Sequence, residues 1–383
     1  MHTIPPFRLE RYFAQYEFKA RYLLSASDCE SLTMQELLDL ADPDSLRRWH
    51  SLSLGYTESQ GLPALREEVA ALYPGITADD VLILSPEEGI YIAMTTLLEP
   101  GDHVIVVSPA YQSLQEIARS RGCEVTPWLV HPDERGWHAD MNELAAAITE
   151  RTRLLVLNFP HNPTGSLLSV EDWAAVHELS AQHNLIVFSD EMYRLLEYDA
   201  AARLPAACAQ SERGISLSGL SKSLALPGLR LGWLATRNRT VLKRFQYYRD
   251  YTTICNSAPS EILGIMALRV CDQLVRRNLK IIAENLAHVQ AFFDEFPQWF
   301  RWRSPAAGSV AFVEWKGAQP VERFCRDVLD ACGVMIVPGA MFDMPGSYFR
   351  LGLGRRNFSK ALAEVQAWLH SDAAKSIIRG GGH

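Results

Sequence analysis

The sequence predicts an α/β fold: a large domain with a mostly parallel sheet sandwiched by helices, joined to a smaller α+β domain. Three observations predict it. The chain has 383 residues, more than a single core usually holds, which favours a large unit with a second, smaller one. From about residue 80, short apolar runs rich in β-branched residues alternate with longer helical patterns. Those runs lack polar alternation, as expected of strands buried on both faces of a parallel sheet.

The strand candidates are Val81–Leu84, Val104–Val107, Leu154–Leu157, Leu185–Phe188 and Ile215–Leu217. Between them, Ile90–Leu98, Ser113–Arg121, Met141–Thr149 and Val170–His183 carry apolar residues at helical spacing. Ser169 and Asp172 stand at capping-box spacing at the start of the last of these helices. Residues 1–50 are aromatic and charged. Beyond about residue 285 strand and helix patterns mix, in Ser309–Trp315, Val321–Cys332, Phe349–Leu353 and Lys360–Leu369. We expect residues 1–50 and 285–383 to form the small domain and residues 51–284 the large one. Gly380–Gly382 reads as a frayed tail.

Composition narrows the function. A formal net charge of −8 gives no electrostatic reason to expect nucleic acid or an anionic membrane as partner. No apolar run approaches the roughly 18 residues of a membrane span. The opening residues mix Arg, Glu and Lys with aromatics, unlike a secretory signal. Seven cysteines, at 29, 123, 208, 255, 271, 325 and 332, include no Cys-x-x-Cys pair. They read as small buried hydrophobes in a reducing cytoplasm, and no metal site is expected.

Each of the five strand candidates runs straight into a polar segment. Leu84 leads to Ser85-Pro-Glu-Glu-Gly89, Val107 to Ser108-Pro-Ala-Tyr111, and Leu157 to Asn158-Phe-Pro-His-Asn-Pro-Thr-Gly165. Phe188 leads to Ser189-Asp-Glu-Met-Tyr193, and Leu217 to Ser218-Gly-Leu-Ser-Lys222. In an open parallel sheet the carboxyl ends of the strands line one crevice, where ligands bind. A lysine desolvated there and near an arginine becomes a nucleophile toward aldehydes. Lys222 suits that role, with Arg230 and the Ser221 hydroxyl placed to hold a phosphate. Asp190, at the end of an apolar strand, needs a cationic partner such as a protonated pyridine nitrogen. Alone, Lys222 would read as a surface lysine and Asp190 as a loop or cap residue; their company changes the reading.

The segment Ser218-Gly-Leu-Ser-Lys-Ser-Leu-Ala-Leu-Pro-Gly-Leu-Arg-Leu-Gly232 resembles the cofactor-lysine segment of class I/II aminotransferases, the fold-type I pyridoxal-5′-phosphate (PLP) enzymes. Asn162-Pro-Thr-Gly165, Asp190-Glu-Met-Tyr193, Tyr56 with Gly61-Leu-Pro-Ala-Leu-Arg66, and Phe349-Arg-Leu-Gly352 match further motifs of that family, in order. The resemblance implies a PLP-dependent transferase fold with Lys222 as the Schiff-base lysine and proton carrier. It implies Asp190 beside the pyridine nitrogen, Asn162 and Tyr193 at the ring oxygen, and Tyr111 stacked on the ring. Ser218, Ser221, Arg230 and the backbone of Glu87 and Glu88 would hold the phosphate. Arg350, with Asn162 and Ser27, would receive the substrate, its fork gripping the α-carboxylate. Tyr56 would reach across a homodimer.

Two places depart from the family pattern. Pro86-Glu87-Glu88 replaces a small-residue phosphate loop; the proline removes a donor and a carboxylate repels phosphate. We expect both Glu side chains to point away; the other outcome is one projecting into the substrate pocket. Ser25-Ala-Ser-Asp-Cys29 stands where the family has a Gly-rich loop closing on substrate. Within the family, His161-Asn-Pro, Leu226–Arg230 and Arg249-Asp-Tyr251 are most similar to the capreomycidine synthase-like members, which cyclise a hydroxylated arginine.

The expected activity is an aminotransferase exchanging an amino group between an L-amino acid and a 2-oxo acid. The alternatives are a PLP-dependent lyase, replacement enzyme or cyclase using the same residues, and a non-catalytic PLP-binding module. A nicotinamide dehydrogenase is disfavoured because no Gly-x-Gly-x-x-Gly follows a strand. Arg21 and Arg194 are the candidates for a distal substrate carboxylate.

Overall fold

The computed structural model describes residues 3–134, 136–344, 346–372 and 374. The glycine run at 380–382 lies outside them. A two-residue strand, β1 (Tyr22–Leu23), comes first, and eight strands then build the large sheet. They are β2 (Val81–Leu84), β3 (His103–Ser108), β4 (Glu124–Pro132), β5 (Trp137–Ala139), β6 (Thr152–Asn158), β7 (Ile186–Asp190), β8 (Gly214–Gly219) and β9 (Gly232–Ala235). Their order across the sheet is β2-β9-β8-β7-β6-β3-β4-β5. The run from β8 to β4 is parallel, β9 is antiparallel to both β8 and β2, and β5 is antiparallel at the far edge.

The five predicted strands are all present. β2 and β3 are buried along their whole length, which explains their unbroken apolar sequence. Successive residues serve opposite faces: Val104 and Val106 pack with Leu82, Phe188 and Leu217, while Ile105 and Val107 pack with Leu155 and Val187. Each such side chain taken from water contributes roughly 1.5–3 kcal/mol. Three strands of this sheet were not legible in the sequence. β4 carries Pro127 and Pro132 and alternates exposed with buried residues because only β5 covers its outer edge. β5 is three residues long, and the four-residue β9 begins at Gly232, the last residue of the segment read as a lysine motif.

The N-terminal helices are α1 (Arg8–Tyr16), α2 (Met34–Leu40) and α3 (Pro43–His50). Thr33 and Glu36 form a reciprocal capping box on α2, and Asp42 caps α3 ahead of Pro43. Residues 1–50 are divided among three clusters. Leu9 packs with Ile105 and Val107 of the large sheet, and Leu37 with Leu65, Val69 and Leu263. Tyr22, Leu24 and Cys29 pack instead with Val310, Val334 and Phe358. That last cluster belongs to an antiparallel sheet, ordered β10-β11-β14-β13, of β10 (Phe300–Arg301), β11 (Val310–Trp315), β13 (Val337–Pro338) and β14 (Tyr348–Gly352). The short β12 (Val334–Met335) pairs in parallel with β1. Helices Cys271–Glu295, Val321–Cys332 and Phe358–His370 complete this part.

Three more helices matter for the site: α4 (Pro63–Ala70), α5 (Pro86–Leu97) and α6 (Ser113–Ser120). The ends of β2, β3, β6, β7 and β8 open on one side of the sheet, where Asn158, Asp190 and Leu217 lie in one cross-strand row.

Candidate active site

At those strand ends lies a cavity of about 570 Å³. Of the residues singled out in the sequence, Ser27, Glu87, Tyr111, Asn162, Asp190, Tyr193, Ser221, Lys222, Arg230 and Arg350 line it. Ser218, Glu88 and Tyr56 do not. Ser218 is buried on another side of its strand end, its hydroxyl 3.4 Å from the Glu191 carbonyl it donates to. Tyr56 is 94% exposed in this single chain. The two adjacent glutamates part company: successive helical residues point about 100° apart, so α5 sends one side chain each way. The Glu88 carboxylate accepts from the Thr252 and Thr253 hydroxyls at 2.5 and 2.8 Å, while Glu87 faces the cavity and accepts from Ser113 at 3.3 Å. The expectation that both point away is therefore corrected for Glu87.

Lys222 follows β8 and is half-buried, its Nζ donating to Ser27 Oγ at 2.8 Å. Burial lowers its pKa, outweighing the opposing pull of Asp28. Asp190 ends β7, 6% exposed, with Oδ1 accepting from the Met192 N–H at 3.1 Å. Burial pushes its pKa up to about 7, against that hydrogen bond and the charge of Lys222. An aspartate so placed needs a cation to stay ionised. Asn158 fixes the neighbouring loop: its Nδ2 donates to the Asp190 carbonyl at 3.1 Å and its Oδ1 accepts from the Asn162 N–H at 3.0 Å.

Arg350, in mid-β14, reaches the cavity from the smaller sheet. It is 1% exposed; Nη2 donates to the Ser25 carbonyl at 2.7 Å and Nη1 to Asn162 Oδ1 at 3.2 Å. Phe342 and Phe13 flank the guanidinium, 5.0 and 6.0 Å from its carbon. Its Nε is buried without a partner, as is Ser221 Oγ. Arg230, exposed in this single chain and in the left-handed backbone region, turns Nη1 to the Pro227 carbonyl at 2.9 Å and has no ion pair among the described residues. At the start of α5 no side chain caps the first-turn N–H groups.

Residues 24–364 match the family model for aminotransferase class I and II. The chain belongs to the class I and II aminotransferases. A PLP-dependent aminotransferase structure from Streptococcus suis is 31% identical, with a TM-score of 0.90 covering 96% of this chain and 98% of that one. Capreomycidine synthase of Streptomyces vinaceus is 30% identical over 376 residues, 97% of this chain and 95% of its own. The PLP-dependent cyclase OrfR is 28% identical, with a TM-score of 0.88 over 96% of this chain and 98% of that one. The fold is therefore fold-type I, and the chain is a PLP-dependent enzyme of this aminotransferase family.

The residues fit that cofactor. The unpartnered Ser221 hydroxyl, the unpaired Arg230 guanidinium and the uncapped start of α5 are donors available to a phosphate. Asp190 supplies the buried anion that a pyridinium requires.

Sequence reasoning missed the wall opposite the sheet. Glu10, Phe13 and Glu17 of α1 and its C-terminal cap line the cavity, with Asp28 and Arg355, an ion pair at 2.9 Å. Tyr111 donates to Glu10 Oε1 at 2.9 Å. Glu10, Phe13 and Glu17 are spaced three and four apart, one face of a helix, and that spacing was the available signal. Arg21 and Arg194 lie elsewhere: Arg21 pairs at the surface with Glu364 at 3.4 Å, and Arg194 donates to the Leu204 carbonyl at 2.5 Å. Among the described residues no group of three His, Cys, Asp or Glu suits a metal ion, and no helix is long and apolar enough to cross a membrane.

Proposed function

We propose that the protein is an aminotransferase, moving the amino group of an L-amino acid to a 2-oxo acid. One observation carries the reading: a desolvated lysine, a buried aspartate and a buried arginine with an unpartnered Nε converge on one cavity. PLP, when bound, supplies the electron sink that acidifies the substrate Cα–H. Arg350 grips the α-carboxylate and so fixes which substituent of Cα faces Lys222. Lys222 Nζ, whose pKa burial lowers, is the group placed to take that proton and to carry it. Ser27 holds Nζ in position, and Tyr193, donating to the Ser27 carbonyl at 3.0 Å, holds Ser27.

A second reading, cyclisation or elimination on the same residues, is favoured by the similarity to OrfR and capreomycidine synthase. Absorbance scans of the PLP-loaded protein against single amino acids separate the two. Transamination converts the visible band into pyridoxamine phosphate with one equivalent of 2-oxo acid. Product formed without pyridoxamine phosphate supports the second reading. No band with PLP, or one unchanged in Lys222→Ala, overturns both.

A homodimer completes the proposal. Leu54, Tyr56 and Tyr251 are 83, 94 and 92% exposed, large apolar side chains of the kind a subunit interface would cover. Seven free cysteines suit a reducing cytoplasm.

A further inference from the structure

The charges around the cavity do not balance among themselves. Its cations each have a use. Lys222 is the reactive amine, Arg230 faces the phosphate position, Arg350 awaits a carboxylate, and Arg355 is paired with Asp28 at 2.9 Å. Asp190 is matched by the cofactor's ring nitrogen. Glu87, on α5 at the sheet side of the cavity, accepts from Ser113 at 3.3 Å, and burial pushes its pKa up to about 7, so it is readily neutralised by a proton. Glu10 and Glu17 remain, on the opposite wall. Both line the cavity and are half-buried, and neither stands in an ion pair among the described residues. They project from one face of α1, two turns and about 10 Å apart along its axis, with Phe13 between them.

Carboxylates withdrawn from water without a cation are costly, and two near each other more so. Burial raises the pKa of Glu17, and the charges of Asp28 and Glu10 push it further. An acidic pair alone would not mark a ligand. Arg350, 1% exposed with a buried, unpartnered Nε, lines the same cavity and marks where a substrate carboxylate sits. Phe13 lies 6.0 Å from that guanidinium, so the α1 face runs beside the bound amino acid. A substrate side chain leaving Cα along α1 therefore meets Glu10 or Glu17.

Building on the aminotransfer reading, we infer that the substrate carries a cationic side chain, an ammonium or guanidinium, received by Glu10 and Glu17. A dicarboxylic amino acid would find no second free cation in the cavity among the described residues: Arg21 and Arg194 lie away from it, and Arg355 is paired with Asp28.

The test uses the PLP-loaded protein with arginine, lysine and citrulline, the last matching arginine in shape without its charge. Arginine or lysine should exceed citrulline in kcat/KM by about tenfold or more, the equivalent of one charge-assisted hydrogen bond. Glu10→Gln and Glu17→Gln should each reduce that ratio several-fold, and a ratio within one variant is insensitive to partial misfolding. A readout independent of turnover is calorimetric binding of 5-guanidinopentanoate against its neutral ureido counterpart, with the preference for the guanidinium lost in the double variant. Citrulline, leucine or glutamate outperforming arginine and lysine, or ratios unmoved by both substitutions, overturns the inference while leaving aminotransfer intact. If no amino acid alters the cofactor band, the aminotransfer reading itself has failed.

Discussion

Replacing Asp190 with Asn tests the electrostatic core of the site. Burial raises the Asp190 pKa from 3.8 to about 7 in the absence of cofactor, roughly 3 units. At about 1.4 kcal/mol per unit, holding this carboxylate ionised costs the cofactor-free protein on the order of 4 kcal/mol at alkaline pH. The folded state binds the proton more tightly than the unfolded chain, so stability from this group is full below pH 3.8 and falls as pH rises to about 7. Asn keeps an oxygen for the Met192 N–H but carries no charge. Asp190→Asn should therefore stabilise the cofactor-free protein by about 2–4 kcal/mol above pH 7.5 and by nothing near pH 3.5. PLP affinity should move the opposite way, because the pyridinium loses its counter-ion. The assay is urea unfolding of both proteins across that pH range, with a parallel PLP titration. A variant less stable than wild type at pH 8, or a difference independent of pH, would refute this account.

Three further outcomes follow from the geometry. Arg350→Lys loses the fork that leaves Nε free while Nη1 and Nη2 are engaged, so kcat/KM for every amino acid should fall about a hundredfold with the cofactor band retained. Gly61→Ala should cost at least about 2 kcal/mol in urea unfolding, since Gly61 has φ +103 and an added Cβ would sit 2.4 Å from Ile83 Cγ1. Tyr56→Phe should weaken PLP retention about tenfold in a protein that sediments as a dimer; a monomer with full cofactor affinity rules out a role across the interface.

The legible part of the fold was the part whose environment is uniform. β2, β3, β6, β7 and β8 are covered on both faces, even β2 at the sheet's edge, so burial wrote itself into their composition. β4 escaped because β5 pairs only its last three residues, leaving the rest with an open outer edge that tolerates Pro127 and polar residues; β5 and β9 escaped because three and four residues carry too little periodicity. At the site, Lys222, Asp190 and Asn162 were legible from their place after strands, and Arg350, in mid-β14, only from the resemblance of Phe349-Arg-Leu-Gly352 to a family motif. Which of Glu87 and Glu88 turned inward was not, because that depends on the rotation of α5 about its axis. Glu10 and Glu17 were missed since the first 50 residues gave no sign of which core each segment joins.

The placement of α1 separates two tasks along the chain. The groups at the sheet's strand ends belong to a framework that strand pairing holds rigid, so change there is penalised throughout the fold. The opposite wall is a nine-residue helix whose one buried residue is Leu9. Substitutions on its inner stripe alter what the cavity accepts while leaving every strand register untouched. Selection can therefore retune substrate choice through a short terminal segment without reopening the chemistry, which makes residues 8–17 the natural place to redirect this scaffold to a new amino acid.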